Sequence, residues 1–170
     1  MNNLHFKIIY TAFLTLMSLT LTPTKASAAG SLDMQIERAI VKAIKDYNSA
    51  MSEGDPSSWL KYFDTEATRT DPISSSLQGL QKITDYYTHE FSLFSANFEI
   101  KRVMLKERTG AVEMIWQATD KSSGTEISLP MIGIFELASS GKFKSVNYYY
   151  DTASGEDSKT DALLEKLKMP

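Results

Sequence analysis

The sequence predicts an α+β fold in which three N-terminal helices pack on a curved antiparallel sheet. In residues 33–53 and again in residues 80–94 apolar side chains recur at spacings of three and four, which is typical of amphipathic helices. From Phe98 onward the period changes to two, which is typical of strands. Short, turn-prone links make these strands antiparallel neighbours. A bent sheet with helices on one face leaves a hollow between the two layers.

Residues 1–28 are predicted to be a signal peptide. They combine a basic start that ends at Lys7, an apolar run from Ile8 to Leu21, and Ala26-Ser27-Ala28, which has the A-x-A form of a cleavage site. The run contains threonine and serine and is short for a membrane span, so an uncleaved anchor is the alternative. We therefore expect an exported protein, periplasmic or secreted, without stable membrane association after cleavage.

Charge and composition argue against several classes of function. Removal of residues 1–28 takes away Lys7 and Lys25 and lowers the formal net charge from −3 to −5; the remaining basic residues do not cluster, so nucleic acid is not an expected partner. The chain has no cysteine, and His89 is the only histidine outside residues 1–28, which excludes thiol catalysis and a His-rich zinc site. We expect no metal and no cofactor. Carboxylate and phenol groups remain for acid–base chemistry.

The first predicted helix runs from Asp33 to Glu53. Its apolar residues form one stripe: Ile36, Ile40, Ile44, Tyr47 and Met51. Gly54 is suited to end this helix, and Asp55-Pro56 is suited to begin a short second helix whose apolar face contains Trp59. The same spacing of apolar residues predicts a third helix from Leu80 to Phe94.

The strand-forming half of the chain contains four predicted strands: Phe98–Lys106, Ala111–Thr119, Thr125–Leu137 and Lys142–Asp151. The third contains Pro130 and Gly133, which predict a bulge or a sharp bend, because proline lacks a ladder donor and glycine has no side chain to pack. The domain is thus predicted to span residues 29–152. A polar C-terminal tail follows, residues 153–170, in which Asp161 to Met169 can form a short helix.

The candidate for chemistry is Asp71, in the stretch Thr68-Arg69-Thr70-Asp71-Pro72 between the helical half and the strands. Pro72 biases Asp71 toward an extended backbone, so an acid ends a short extended segment from Ala67 to Asp71. Asp71 is either a general base in the hollow between the layers or a turn acid that hydrogen-bonds local backbone. Both interpretations stay open at this point.

The order of these elements is helix, Gly-Asp, short helix, X-Asp-Pro, helix and a curled four-stranded meander. This order resembles the nuclear transport factor 2-like superfamily, in its SnoaL-like and ketosteroid isomerase-like branches. The resemblance covers Asp33 to Asp151. It implies a cone-shaped, cystatin-like domain with an apolar cavity for a small apolar molecule. Many members pair through their sheets, so the resemblance also implies a homodimer.

The resemblance to ketosteroid isomerases implies roles for two residues. The family's oxyanion-binding tyrosine falls on Tyr47 and its general base falls on Asp71, so that a carboxylate takes a proton beside a carbonyl while a phenol stabilises the enolate oxygen. The family's second donor, an aspartic acid on the third strand of the meander, falls near Gly133, and no acid lies between Glu126 and Glu136. Tyr47 is alternatively a core tyrosine.

Two other branches of the superfamily fit this sequence less well. The charged set of limonene epoxide hydrolases would fall on Ile115, Gln117 and Tyr148, none of which is charged. The acid of SnoaL-like polyketide cyclases falls near Asp120, which precedes a Lys-Ser-Ser-Gly sequence and is interpreted as a turn residue. His89 lies off the apolar stripe of the third helix and is interpreted as a surface histidine.

The cavity is expected to be lined by aromatic and amide side chains: Trp59, Phe63, Trp116, Gln117, Asn147 and Tyr149. Trp116 is alternatively a cross-strand packing or dimer residue, as are Tyr148 and Tyr150, which share one strand face. Gln117 and Asn147 are either ligand donors or residues of the solvated face of the sheet.

These observations predict an exported small-molecule-binding domain. In its catalytic version Asp71 shuttles a proton and Tyr47 polarises a carbonyl, which gives cofactor-free chemistry of the isomerase, cyclase or dehydratase type. The alternative is a non-catalytic small-ligand carrier or a dimerising interaction module of the same fold. The catalytic version requires Asp71 and Tyr47 to share one enclosed pocket.

Overall fold

The computed structural model describes residues 25–74, 76–151 and 158–168. The chain divides into two compact units, Met1–Ser31 and Leu32–Pro170, and the fold below is that of the second unit. Most of the predicted signal peptide lies outside the described residues.

Three helices precede most of the sheet, as the apolar spacing predicts: α1 (Lys25–Glu53), α2 (Ser57–Leu60) and α3 (Leu80–Leu93). Gly54 follows α1 with a φ of +73°, a left-handed conformation that glycine adopts without strain. A fourth helix, α4 (Ser158–Lys166), begins three residues before the one predicted in the tail. No helix within the described ranges is long and apolar enough to cross a membrane.

Within the described residues the strands form one curved, open sheet of six members. They are β1 (Phe63–Thr70), β2 (Leu77–Gln78), β3 (Phe94–Lys106), β4 (Thr109–Asp120), β5 (Glu126–Leu137) and β6 (Phe143–Tyr149). Their order across the sheet is β2-β1-β6-β5-β4-β3, so the predicted meander is β3 to β6. All neighbours are antiparallel except β1 and β6, which are parallel. The extended segment that ends at Asp71 is therefore a strand of the main sheet.

The predicted bulge at Pro130 and Gly133 is absent, because β5 pairs with β4 without interruption from Glu126 to Glu136. Proline is tolerated there because β6 pairs only with residues 132–137 of β5, which leaves one side of Pro130 without a strand partner. At Gly133 a Cβ would lie 2.6 Å from Cε of Met114 and 2.7 Å from Cε2 of Phe135. Glycine there makes room for two core side chains.

One face of the sheet is buried against the helices and the other is open. The buried side chains of the three central strands alternate along each strand: Val112, Met114, Trp116, Leu129, Met131, Phe135, Val146 and Tyr148. Large apolar side chains remain exposed on the opposite face, where Ile132 and Tyr149 are 42% and 59% exposed. The candidate site lies on the buried face, between the sheet and α3.

Candidate functional site

A small cavity lies between α3, the buried face of the sheet and α4. Its polar lining consists of Arg69, Asp71, Tyr86, Tyr87, Glu90, Tyr148 and Tyr150. Its apolar lining consists of Phe98, Trp116, Leu129, Met131, Leu164 and Leu167. The space that a water-sized sphere can occupy is about 30 Å³, which is room for roughly two waters.

Arg69 is a buried cation at the end of β1, with a side chain only 5% exposed. Its Nη1 lies 2.6 Å from Oδ2 of Asp71, and its Nε donates to the hydroxyl of Tyr87 at 3.3 Å. The guanidinium carbon lies 3.7 Å from the centre of the Tyr86 ring, within the range of a cation–π contact. Arg69 is thus neutralised by Asp71 and enclosed by tyrosine rings.

Asp71 uses its second carboxylate oxygen to cap a turn. Oδ1 accepts hydrogen bonds from the backbone N–H groups of Ile73 and Ser74, at 2.9 and 2.7 Å. Burial raises the pKa of Asp71, but the charge of Arg69 and these hydrogen bonds outweigh burial, and the pKa is lowered overall. A carboxylate that is ion-paired, capped and low in pKa is a weak base. These contacts are those of the turn-acid interpretation.

Glu90 is the titratable group that the sequence analysis missed. It lies on α3, is 4% exposed and lines the cavity. Oε1 accepts a hydrogen bond from the Tyr47 hydroxyl at 2.5 Å, and Oε2 accepts none from any residue that the structure describes. Burial raises the pKa of Glu90 to about 7, against the opposing effects of Arg69 and the Tyr47 hydrogen bond. Glu90 follows Tyr87 by three residues, and this helical spacing was the available signal.

Tyr47 is fully buried on α1 and donates its only O–H to Glu90. The same oxygen accepts a hydrogen bond from Nε1 of Trp116 at 3.3 Å. Burial, followed by the nearby Glu90, raises the pKa of Tyr47 well above its usual value. Tyr47 is not itself one of the residues that line the cavity. It hydrogen-bonds to Glu90 and Trp116, and its ring packs against Phe98, all of which line it. The structure therefore groups Tyr47 with Glu90, and Asp71 with Arg69.

Four more tyrosines surround the buried charges. The hydroxyls of Tyr87 and Tyr148 are 3.4 Å apart, whereas those of Tyr86 and Tyr150 form no hydrogen bond with any described residue. Both free hydroxyls belong to cavity-lining residues. Burial raises the pKa of Tyr86 and Tyr150, so both stay protonated donors at neutral pH.

Of the predicted pocket residues, Trp116 lines the cavity and the others do not. Trp59 and Phe63 are completely buried in an aromatic cluster, with ring centres 5.2 Å apart. Gln117 is exposed on the open face of the sheet, where it accepts a hydrogen bond from Asn97.

The structure reverses the predicted inward and outward faces of the last strand. Tyr149 points outward and is 59% exposed, because the alternation of β6 directs Tyr148 to the buried face. Asn147 is half-buried on the same side as Tyr149 and accepts a hydrogen bond from Thr70 at 2.5 Å. Tyr148 and Tyr150 take the place that was predicted for Tyr149.

Two polar residues near the cavity are bonded to α4. Asp120 has a buried carboxylate that accepts from the backbone N–H of Ser122 at 2.9 Å, as expected of a turn residue, and also contacts the ammonium of Lys166. His89 is partly exposed, and its Nε2 lies 2.8 Å from the carbonyl oxygen of Lys166. Within the part of the chain that the structure describes, no three histidine or carboxylate groups converge as a metal site would require.

Comparisons with known proteins agree with this architecture. The sequence model of the SnoaL-like domain matches residues 44–146. No curated protein matches the sequence.

Solved structures with the same fold are distant in sequence. One is the epoxide hydrolase/cyclase-like enzyme SalBIII, which has a role in pyran ring formation in the polyether salinomycin (15% identity, TM-score 0.62, 69% of this chain and 92% of that one). Another is a hypothetical protein with a ketosteroid isomerase-like fold from Catenulispora acidiphila DSM 44928, in complex with trimethylamine (16%, 0.58, 66% and 87%). A third is an LEH-like epoxide hydrolase of M. tuberculosis (12%, 0.57, 67% and 84%). At these identities the likeness establishes the fold.

Proposed function

This chain belongs to the SnoaL-like domain family, and on that premise we propose that it binds a small apolar carbonyl compound and moves a proton on it with Glu90. The observation that carries the proposal is the buried carboxyl of Glu90, which faces the cavity with one oxygen free of hydrogen bonds from the described residues. In this proposal Glu90 takes the role that the resemblance gave to Asp71.

The pKa values of the two acids support this choice. A general base works best when its pKa lies near the operating pH, and burial brings the pKa of Glu90 to about 7. The pKa of Asp71 is lowered, and both of its oxygens already accept hydrogen bonds. Glu90 can therefore accept a proton at neutral pH and return it, whereas Asp71 holds Arg69 in place.

The lining of the cavity supports an amphipathic ligand. Phe98, Trp116 and Leu129 offer apolar walls, while the hydroxyls of Tyr86 and Tyr150 have no partner among the described residues. A carbonyl oxygen near these hydroxyls would accept hydrogen bonds that strengthen as negative charge develops on it.

The proton transfer needs no other reactant. Glu90 would take a proton from the carbon beside the carbonyl and return it at another position, which rearranges a double bond without oxidant, reductant or metal. Such a step suits isomerase or cyclase chemistry.

Deuterium incorporation tests the proposal. The protein is incubated in D2O with a panel of apolar ketones, including steroidal enones and hydroxylated aromatic ketones, and mass spectrometry follows the label. We expect Glu90→Gln to slow incorporation by at least about 100-fold, the usual contribution of general acid–base catalysis, while ligand affinity is retained. The exposed Glu66→Gln is the matched control. Unchanged incorporation in Glu90→Gln would remove Glu90 from the mechanism.

A non-catalytic ligand carrier is the second candidate, and one observation favours it. Tyr47 donates its only O–H to Glu90, so the tyrosine that the resemblance assigns to oxyanion binding is already occupied. A carrier would bind compounds of the panel without incorporating deuterium into any of them. Binding with incorporation into one compound would exclude a purely passive carrier.

Export and pairing complete the proposal. Residues 1–28 would be removed on export to the periplasm or the medium, and the mass of the mature protein tests this directly.

A homodimer would form through the open face of the sheet, where Ile132 and Tyr149 are exposed. Analytical ultracentrifugation of Ile132→Glu should then give a monomer; a wild-type protein that is itself monomeric would contradict the dimer.

A further inference from the structure

Helix α4 supplies one wall of the cavity. Leu163 and Leu164 of α4, and Leu167 directly after it, are no more than 4% exposed, and the last two line the cavity directly. They share this cavity with Arg69 and Glu90. The end of α4 and the group that would do the chemistry therefore line the same cavity.

Two polar contacts hold α4 in this position from different elements. The ammonium of Lys166 contacts the buried carboxylate of Asp120, at the end of β4, and lies 3.2 Å from Oγ of Ser122. His89, on α3, lies with Nε2 2.8 Å from the carbonyl oxygen of Lys166. Lys166 is thus fastened through its side chain to the sheet and through its backbone to α3.

With α4 in place the cavity is too small for an organic ligand. The free space of about 30 Å³ accepts roughly two waters, whereas small-molecule sites usually measure about 300–1,000 Å³. A ligand that reaches Glu90 must therefore take the space that Leu164 and Leu167 now fill. We propose that α4 is a plug: it fills part of the ligand cavity and must move out before a ligand can bind. The ion pair between Lys166 and Asp120 is the latch that holds it there. This inference rests on the proposed ligand-binding function.

The plug also indicates the class of ligand. The groups it adds to the lining of the cavity are two uncharged aliphatic side chains, Leu164 and Leu167. A ligand that replaces them gains most when the part that takes their place is apolar and only the part near Glu90 is polar. The ligand is thus an elongated compound with one polar end and an uncharged, hydrocarbon-rich other end.

Lys166→Met tests the latch without altering the lining of the cavity. Asp120 keeps its hydrogen bonds from Ser122 and Ser123 in this variant, so the turn stays capped. Lys168→Met is the matched control, because it removes the same charge from a lysine whose one ion pair among the described residues is with the exposed Glu165. The neutral apolar fluorophore N-phenylnaphthylamine serves as the probe.

We expect Lys166→Met to bind the probe about tenfold more tightly than the wild type, because the binding-competent, unplugged state becomes more populated. Lys168→Met should bind it as the wild type does. Equal affinity in the wild type and Lys166→Met would overturn the plug while leaving the proposed function standing. Absence of binding in all three proteins would overturn the proposed cavity function itself.

Hydrogen exchange on the full wild-type chain gives a second measurement, which does not depend on how any variant folds. A saturating amount of the probe should increase the exchange of α4 amides, since the ligand displaces the helix. Slower exchange of the α4 amides, as expected of a helix that closes over its ligand, would contradict the proposal that the ligand displaces α4.

Discussion

The hydroxyl of Tyr47 lies 2.5 Å from Oε1 of Glu90, and both groups are almost completely buried. This pair joins α1 to α3, and Glu90 also lines the cavity. The hydrogen bond favours the carboxylate form of Glu90, whereas burial favours the neutral form, and burial has the larger effect. A proton can therefore reside on Glu90 at neutral pH.

Glu90 should make the stability of the protein depend on pH. Its pKa rises from 4.5 to about 7 on folding, so between these values the folded state binds more protons than the unfolded state, and stability falls as pH rises. Relative to Glu90→Gln, the wild type should lose on the order of 3 kcal/mol between pH 4.5 and 7 and little more above that range. Urea unfolding of both proteins at several pH values measures this difference. Parallel stability curves would contradict the raised pKa.

Tyr47→Phe should raise the upper end of the pH window over which the stability of the wild type falls. The Tyr47 hydrogen bond lowers the pKa of Glu90, so its removal allows the pKa to rise further. The indole N–H of Trp116 also loses its acceptor, which costs about 1–3 kcal/mol. Urea unfolding across pH measures both effects, with the exposed Tyr149→Phe as control. A window that stays in place would show that Tyr47 does not act on Glu90.

Asp71→Asn should destabilise the fold more than it affects catalysis. It leaves the charge of Arg69 buried without its partner, which typically costs about 3–5 kcal/mol. A double-mutant cycle with Arg69→Met should show strong coupling, since the second substitution removes the unpaired charge. The exposed Asp85→Asn is the control. Full stability together with complete loss of deuterium incorporation would restore Asp71 as the base.

Gly133→Ala should destabilise the protein by about 1–3 kcal/mol through overpacking. The new Cβ would lie 2.6 Å from Cε of Met114 and 2.7 Å from Cε2 of Phe135, so both side chains must move. Gly30→Ala in α1 is the comparison, because its Cβ would have no neighbour within 4 Å and alanine favours the helix, so this variant should not be destabilised. Thermal unfolding compares both variants with the wild type. A Gly133→Ala protein as stable as the wild type would mean that Met114 and Phe135 repack without cost.

The order of elements could be predicted because the apolar spacing changes along the chain, and it is this order that resembles the family. Spacing identifies a strand but not its partner, so the parallel pairing of β1 with β6 was not predictable. The two-residue strand β2 lies in a stretch rich in serine and carries too few residues to show a period. The bulge predicted at Pro130 and Gly133 is absent because β5 pairs with β4 without interruption, and Pro130 is tolerated because β6 ends before reaching it.

The site was less predictable than the fold. Trp116 and Asp71 were placed at the cavity, but Glu90 was overlooked because an acid on a helix is usually solvated. Alternation along β6 groups Tyr148 with Tyr150 and does not indicate which face points inward, which explains the assignment of Tyr149 to the cavity. The plug by α4 joins residues far apart in sequence and leaves no local pattern.

The parallel pairing of β1 with β6 has a consequence for folding kinetics. Thr70 pairs with Asn147, 77 positions along the chain, whereas β3 to β6 are joined by short turns. Because closing a long loop costs more entropy than closing a hairpin, the meander should form in the folding transition state and β1 should dock after it. Ala67→Gly in β1 should then mainly speed unfolding, while Leu129→Ala in the meander should mainly slow refolding, as stopped-flow measurements can show. Arg69 and Asp71, carried by β1 and the residue after it, would be assembled in the last step of folding.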